Sequence, residues 1–285
     1  MSNSVYDTVT AAIMSSLAKG TVPWRKPWCA APLPVNAVSK APYRGVNFFL
    51  LSLSPFHDHR WVTFRQASEL GGTVKKGERS TEIVFWKPPE TRRTDEEDEH
   101  VLRRQVPILK SYRVFNVEQC KDLRLMPLPE RELIQPQQRI AEAEDILRSM
   151  LDPPRLEERH TPAWYRPADD LIGMPPISDF SSADTYYATR FHELGHATGH
   201  EKRLNRPGVT GVIQFGSATY GMEELVAELT SSFCSALCGL DTTLLESSAS
   251  DIQNWLGALR HDTKMVVVAA ARAQKAADYI RGRLD

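Results

Sequence analysis

His192-Glu193-Leu194-Gly195-His196 sets two imidazoles and a carboxylate within five positions. On a helix, residues four apart share one face a single turn apart. His192 and His196 can therefore aim two ring nitrogens at one divalent ion, with Glu193 facing its coordinated water as a general base. Ala188, Phe191 and Leu194 offer an apolar side that would pack into a core and hold the helix rigid. Gly195 is expected to leave room beside the ion, and Gly199 to cap the helix C-terminus. Zn²⁺ is the expected ion, with Mn²⁺ or another divalent cation as the alternative. A catalytic zinc takes three protein ligands and keeps one position for water. A histidine three residues beyond Gly199 would complete the metzincin pattern, but Lys202 stands there. His200 follows the glycine expected to end the helix, so it reads as a turn residue and not a ligand.

The third ligand must come from elsewhere, and the segment from Tyr220 to Leu237 supplies candidates. Its apolar residues recur with a period near 3.6, which predicts an amphipathic helix over about 221–239. Glu224 and Glu228 fall one turn apart on one face. We read Glu224 as the third ligand and Glu228 as a supporting acid that accepts the other N–H of a ligand histidine. Glu223 points elsewhere and suits the positive end of a helix.

The elements that must position these groups can be sketched from pattern. Val5, Val9, Ile13 and Leu17 predict a helix over 4–19 ending at Gly20. Pro23, Pro27, Pro32 and Pro34 forbid regular helix through the loop that follows. Shorter helices are predicted over 45–53 and 64–70, the latter closed by Gly71-Gly72. Glu82–Trp86 and Gln105–Val117 read as an antiparallel pair of strands flanking a loop that carries five consecutive acids at 95–99. Residues 126–136, with three prolines, read as a linker. A helix is predicted over 137–150, an edge strand within 164–174, the histidine helix over about 183–198, and one long helical region over 250–283.

With 285 residues, 41% hydrophobic and 25% charged, the chain suits two ordinary soluble domains, each with its own core. No apolar run approaches the ~20 residues of a membrane span, and no signal-peptide pattern opens the chain. Cys29, Cys120, Cys234 and Cys238 are few and scattered. Cys234 and Cys238 share a helix face and read as small buried hydrophobes. Together these features predict a cytoplasmic protein with no membrane partner.

The net charge of −1 hides an asymmetry. Residues 1–135 carry 20 Lys and Arg against 15 Asp and Glu, or +5, whereas residues 136–285 carry 15 against 21, or −6. The basic half interleaves cations with rings at Trp24-Arg25-Lys26-Pro27-Trp28 and Tyr43-Arg44, and adds Lys75-Lys76. Exposed rings stack on unpaired bases for ~1–3 kcal/mol each while cations follow phosphates. Core tryptophans on a solvated loop would fit the composition of 24–28 equally well.

The blocks Tyr186-Tyr187-Ala188-Thr189, His192 to His200, Arg203-Leu204-Asn205-Arg206 and Glu223 to Glu228 resemble the zincin-like domain of ArdC-type antirestriction proteins. Gly20 to Trp28, Tyr43-Arg44-Gly45-Val46-Asn47 and Val114 to Gln119 resemble the amino-terminal domain of the same proteins and of TraC-type conjugative primases. The resemblance implies a single-stranded-DNA-binding domain followed by a metallopeptidase-like domain, in a protein that protects incoming conjugative DNA from host restriction. The fold expected is α+β: a mixed α/β amino-terminal domain over residues 1–130 and a mainly helical zincin-like domain over residues 137–285. It favours Trp24, Arg25, Lys26, Trp28, Tyr43, Arg44, Lys75 and Lys76 as DNA-binding residues, and a fragment ending at Glu130 that binds DNA by itself. Two other readings fit the same residues. One is a DNA-binding protein with a structural or regulatory metal and no proteolysis. The other is a metallopeptidase whose basic half recognises a protein substrate of unknown identity.

Overall fold

The computed structural model describes residues 4–25, 33–87, 108–128, 135–211, 217–243 and 249–283. Lys26, Trp28, Cys29 and the acidic run 95–99 lie outside the described residues.

Helix α1 (Val5–Ala18) starts at a capping box, in which the Ser4 hydroxyl accepts from the Asp7 backbone and the Asp7 carboxylate accepts from that of Ser4. It ends before Gly20, whose φ of 76° lies in the left-handed region that favours glycine. Beyond it come β1 (Val35–Asn36), α2 (Val46–Ser52), β2 (Arg60–Val62), α3 (Phe64–Glu69), β3 (Thr73–Val74), β4 (Thr81–Lys87), β5 (Ile108–Asn116) and β6 (Cys120–Lys121). Four strands form one sheet in the order β1-β2-β5-β4, with β1 parallel to β2 and the other pairs antiparallel. The β4–β5 register sets Ile83 opposite Tyr112 and Phe85 opposite Lys110. Strands β3 and β6 pair separately.

The second half opens with α4 (Pro136–Ser149), followed by β7 (Arg155–Glu158), β8 (Trp164–Arg166) and β9 (Leu171–Met174). These strands form a sheet in the order β7-β9-β8. The segment expected to be one edge strand is thus a hairpin, because Pro167 enters a turn and Asp170 closes it at a φ of 49°. Next come α5 (Ala183–Ala197), the single-turn α6 (Pro207–Thr210), α7 (Ala218–Cys238), α8 (Ala249–His261) and α9 (Met265–Ile280). The long helical region expected over 250–283 resolves into two helices. Asp262 breaks it: its carboxylate accepts from Lys264 N at 2.9 Å and its carbonyl from Met265 N, a local alternative to the helical ladder.

The expectation of two separate cores is corrected by the packing. Val9, Ile13 and Leu17 of α1 and Phe48 and Phe49 of α2 belong to the same apolar cluster as Leu225, Phe233, Leu256 and Val266. The rings of Phe48 and Phe49 lie 5.3 and 4.9 Å from that of Phe233, and Thr10 donates to Thr263 O at 2.7 Å. Two small clusters, around Trp61 and around Val62, belong to the amino-terminal half by itself. Among the described residues, no helix is long and apolar enough to cross a membrane.

Phe233 locks the halves together, so we expect Phe233→Ala to cost about 3–5 kcal/mol, read as a lowered urea midpoint. A fragment ending at Glu130 would expose Phe48, Phe49 and Trp24. We expect it to aggregate or stay unfolded by circular dichroism, in contrast to the sequence-based expectation.

Candidate metal centre

Helix α5 begins at Ser182, whose hydroxyl accepts from Thr185 N, and buries Tyr187, Ala188, Phe191 and Leu194. That buried stripe leaves His192 and His196 on the side facing α7. Their Nε2 atoms lie 3.2 Å apart. The Glu224 carboxylate approaches both, at 3.8 Å from His192 Nε2 and 3.7 Å from His196 Nε2. One ligand atom from each of the three residues lies within 4.8 Å of the others. Two imidazole nitrogens and a carboxylate turned towards one point are a donor set that suits a divalent ion.

Each histidine is held from behind. Glu228 Oε1 lies 3.9 Å from His192 Nδ1, and Glu223 Oε1 lies 3.6 Å from His196 Nδ1. A carboxylate behind the distal nitrogen orients the ring and makes it a better ligand. Glu223, read from sequence as a helix-terminus acid, is not one: α7 starts at Ala218, so Glu223 lies beyond its first turn and supports His196 instead. It is buried and takes a bidentate bond from the buried Arg206 guanidinium, at 2.5 and 3.0 Å. Burial opposes ionisation of Glu223, but His196 and Arg206 outweigh it and lower its pKa. For His196, burial disfavours the cation, yet Glu223, Glu224 and Glu193 raise its pKa. Glu193 is buried, and that burial raises its pKa against the lowering effect of the two histidines. Such a carboxyl can hold a proton near the site.

Two arginines beyond α5 secure its carboxyl end, where helix carbonyls lack partners. Arg206 donates to Gly195 O at 2.6 Å and to Thr198 Oγ1 at 2.8 Å. Arg203 donates to Ala197 O at 2.7 Å and pairs with Asp170 of the β8–β9 turn. Gly199 does not cap the helix by a positive φ. A Cβ there would meet Val209 Cγ2 at 2.4 Å and Arg206 Nη2 at 2.9 Å, so its smallness admits the Arg206 side chain. Gly195 likewise makes room for α7 and not for an ion, since a Cβ would lie 2.9 Å from Ala227 Cα. His200 is a buried turn residue, its Nδ1 accepting from Lys202 N. Tyr220 was missed from sequence although it precedes Glu224 by one helical turn. Its hydroxyl is pushed up to about 12 by burial and by the Glu224 carboxylate it bonds. The thiols of Cys234 and Cys238 are buried and burial pushes both up, as expected of apolar packing.

The residues expected to bind DNA are dispersed. Trp24 is 2% exposed and packs edge-on against Trp255 with ring centres 5.8 Å apart, so its ring is a core ring and not a stacking platform. Arg25 reaches the metal centre, its Nη2 donating to Glu228 Oε1 at 2.9 Å. Tyr43 is largely buried, and Arg44 pairs with Asp278 of α9. Lys75 donates to Glu118 O at 2.7 Å beside the exposed Lys76. Among the described residues, Tyr43 and Arg44 both line one cleft.

A mixed α/β region ahead of a helical unit with this histidine–glutamate centre defines a protein with a zincin-like domain. Residues 3–115 match the family model described as the N-terminal domain of anti-restriction factor ArdC, and residues 141–272 match that of a zincin-like metallopeptidase. The crystal structure of antirestriction protein ArdC from plasmid R388, in its Mn(II)-bound form, is 33% identical with a TM-score of 0.76, over 98% of this chain and 97% of that one. Its metal-free form gives 35% and 0.75. The Sinorhizobium fredii protein y4eC is 34% identical over 98% of this chain and 92% of its own length. An Escherichia coli DNA primase TraC is 34% identical over 96% of this chain, which spans only 27% of that primase. The chain belongs to the ArdC antirestriction family.

The carboxylates behind the two histidines should separate experimentally. We expect Glu228→Gln to weaken Mn²⁺ or Zn²⁺ affinity by about 10–100-fold in calorimetric titration with little change in metal-free stability. Glu223→Gln leaves Arg206 buried without its carboxylate and should also cost about 3–5 kcal/mol of folding stability.

Proposed function

We propose that this antirestriction-family protein binds single-stranded DNA and that its second half is a metal-dependent peptidase. His192, His196 and Glu224 would hold Zn²⁺ or Mn²⁺, and Glu193 would serve as general base. The observation that carries the reading is the convergence of these three donors beside a buried glutamate with a raised pKa. A divalent ion supplies Lewis acidity and a nucleophile at neutral pH. Glu193 takes the proton as a peptide carbonyl is attacked and delivers it to the leaving amine. Glu228 and Glu223 keep the two rings aimed while this happens. Strand β8 is one edge of its sheet, and an extended peptide can add to such an edge. The likeness of residues 3–115 to the ArdC amino-terminal domain, and of the chain to TraC primases, supports a DNA partner. So does the +5 charge of residues 1–135, against −6 for the remainder.

A second reading has its own support. The three donors bridge α5 and α7, two helices at the centre of the core, so an ion there would also staple the fold. We expect Glu193→Gln to abolish cleavage of a labelled unfolded protein while metal content, melting temperature and single-strand affinity stay at wild-type values. Cleavage by the variant at the wild-type rate would remove Glu193 from the mechanism. A wild-type chain that gains melting temperature with metal yet cleaves nothing would favour the stapling role.

A further inference from the structure

A cleft of about 890 Å³ opens between the amino-terminal sheet and α9. Its volume lies towards the upper end of the ~300–1,000 Å³ of small-molecule sites. One wall is the β4–β5 face, where Ile83 and Val114 are buried but Phe85 and Tyr112 are 47% and 46% exposed. The two exposed rings meet edge to face, centres 5.6 Å apart. Lys110 lies opposite Phe85 in the register and two residues from Tyr112, so alternation puts it on the same face. The rim carries Arg44, with a half-exposed guanidinium, and the exposed Lys275 and Arg283. Asp278 is the acid lining this cleft, and Arg44 already neutralises it. The floor is shaped by Gly45, at a φ of 58°, whose N–H donates to Gln274 Oε1 at 3.1 Å across the two halves.

Exposed aromatic rings cost solvation unless something covers them, and singly they need no explanation. Here two sit side by side in a concavity ringed by cations. A duplex hides its base faces, and an apolar peptide has no use for the ring of positive charge. Unpaired bases with their phosphates use both features. We propose that this cleft is the single-stranded-DNA site of the molecule, with bases stacked on Phe85 and Tyr112 and phosphates following Lys110, Lys275 and Arg283. The assignment rests on the DNA-binding reading above and relocates it from the Trp24 loop to the β4–β5 face. It also places α9 of the second half on the DNA.

The test uses the full chain and a labelled twenty-residue oligothymidine, with affinity measured by fluorescence anisotropy across a salt series. Phe85→Ala and Tyr112→Ala, both at exposed positions, should each weaken binding by about 5- to 150-fold with unchanged circular dichroism. Lys110→Ala and Lys275→Ala should each reduce the slope of log affinity against log salt by about 0.7. Arg148→Ala, on the exposed face of α4, should leave the slope alone. Wild-type binding that survives both aromatic substitutions would overturn the cleft assignment, leave the DNA-binding reading standing and point to a protein partner for the two rings. A wild-type chain with no affinity for the oligonucleotide would overturn both.

Discussion

The close approach of α5 to α7 at Gly195 and Ala227 is the constraint from which the rest follows. With 2.9 Å between a virtual Cβ and the Ala227 backbone, no side chain fits between the helices there. Because they touch, a carboxylate one turn before Ala227 can reach nitrogens that flank Gly195. Glu224 meets both histidines, while Glu223 and Glu228 reach behind them. Any side chain at position 195 would push the helices apart and withdraw all three acids together.

That geometry concentrates negative charge. Glu193, Glu223, Glu224 and Glu228 crowd two histidines, and like charges gathered in this way repel one another. The protein offsets part of this with two guanidinium groups from outside the two helices. Arg206 arrives from the turn after α5 and is buried with Glu223, so its fork also satisfies the Gly195 carbonyl. Arg25 arrives from the amino-terminal half and holds Glu228. A divalent ion would neutralise more of it, which is the electrostatic reason that such a cluster suits a cation.

Arg25 is one sign that the halves are not independent modules. The family models stop at 115 and resume at 141, yet α1 and α2 lie in the same apolar cluster as α7, α8 and α9. Their burial would be lost if the chain were cut between the models, at ~25 cal/mol per Å² of apolar surface returned to water. The cleft between the sheet and α9 exists for the same reason: one wall comes from each half.

The sequence by itself determined the residues of local pattern. The i, i+4 histidines, the ring of acids near 224 and the stripes of α1, α5 and α7 are set by helical periodicity, which needs no knowledge of partners. Family likeness added the order of the two regions. Tertiary structure alone decided the roles that depend on what arrives from afar. Gly195 and Gly199 are small because Ala227, Arg206 and Val209 press on them, not because a metal or a turn requires it. Glu223 lies beyond the first turn of α7, and its role comes from Arg206 and His196, which close on it. Trp24 reads equally as a stacking ring or a core ring, since one sequence window cannot say that Trp255 lies 231 positions on and edge against it. Phe85 and Tyr112 carried no signal, because exposure of a ring on a strand is settled by whether another element covers that face.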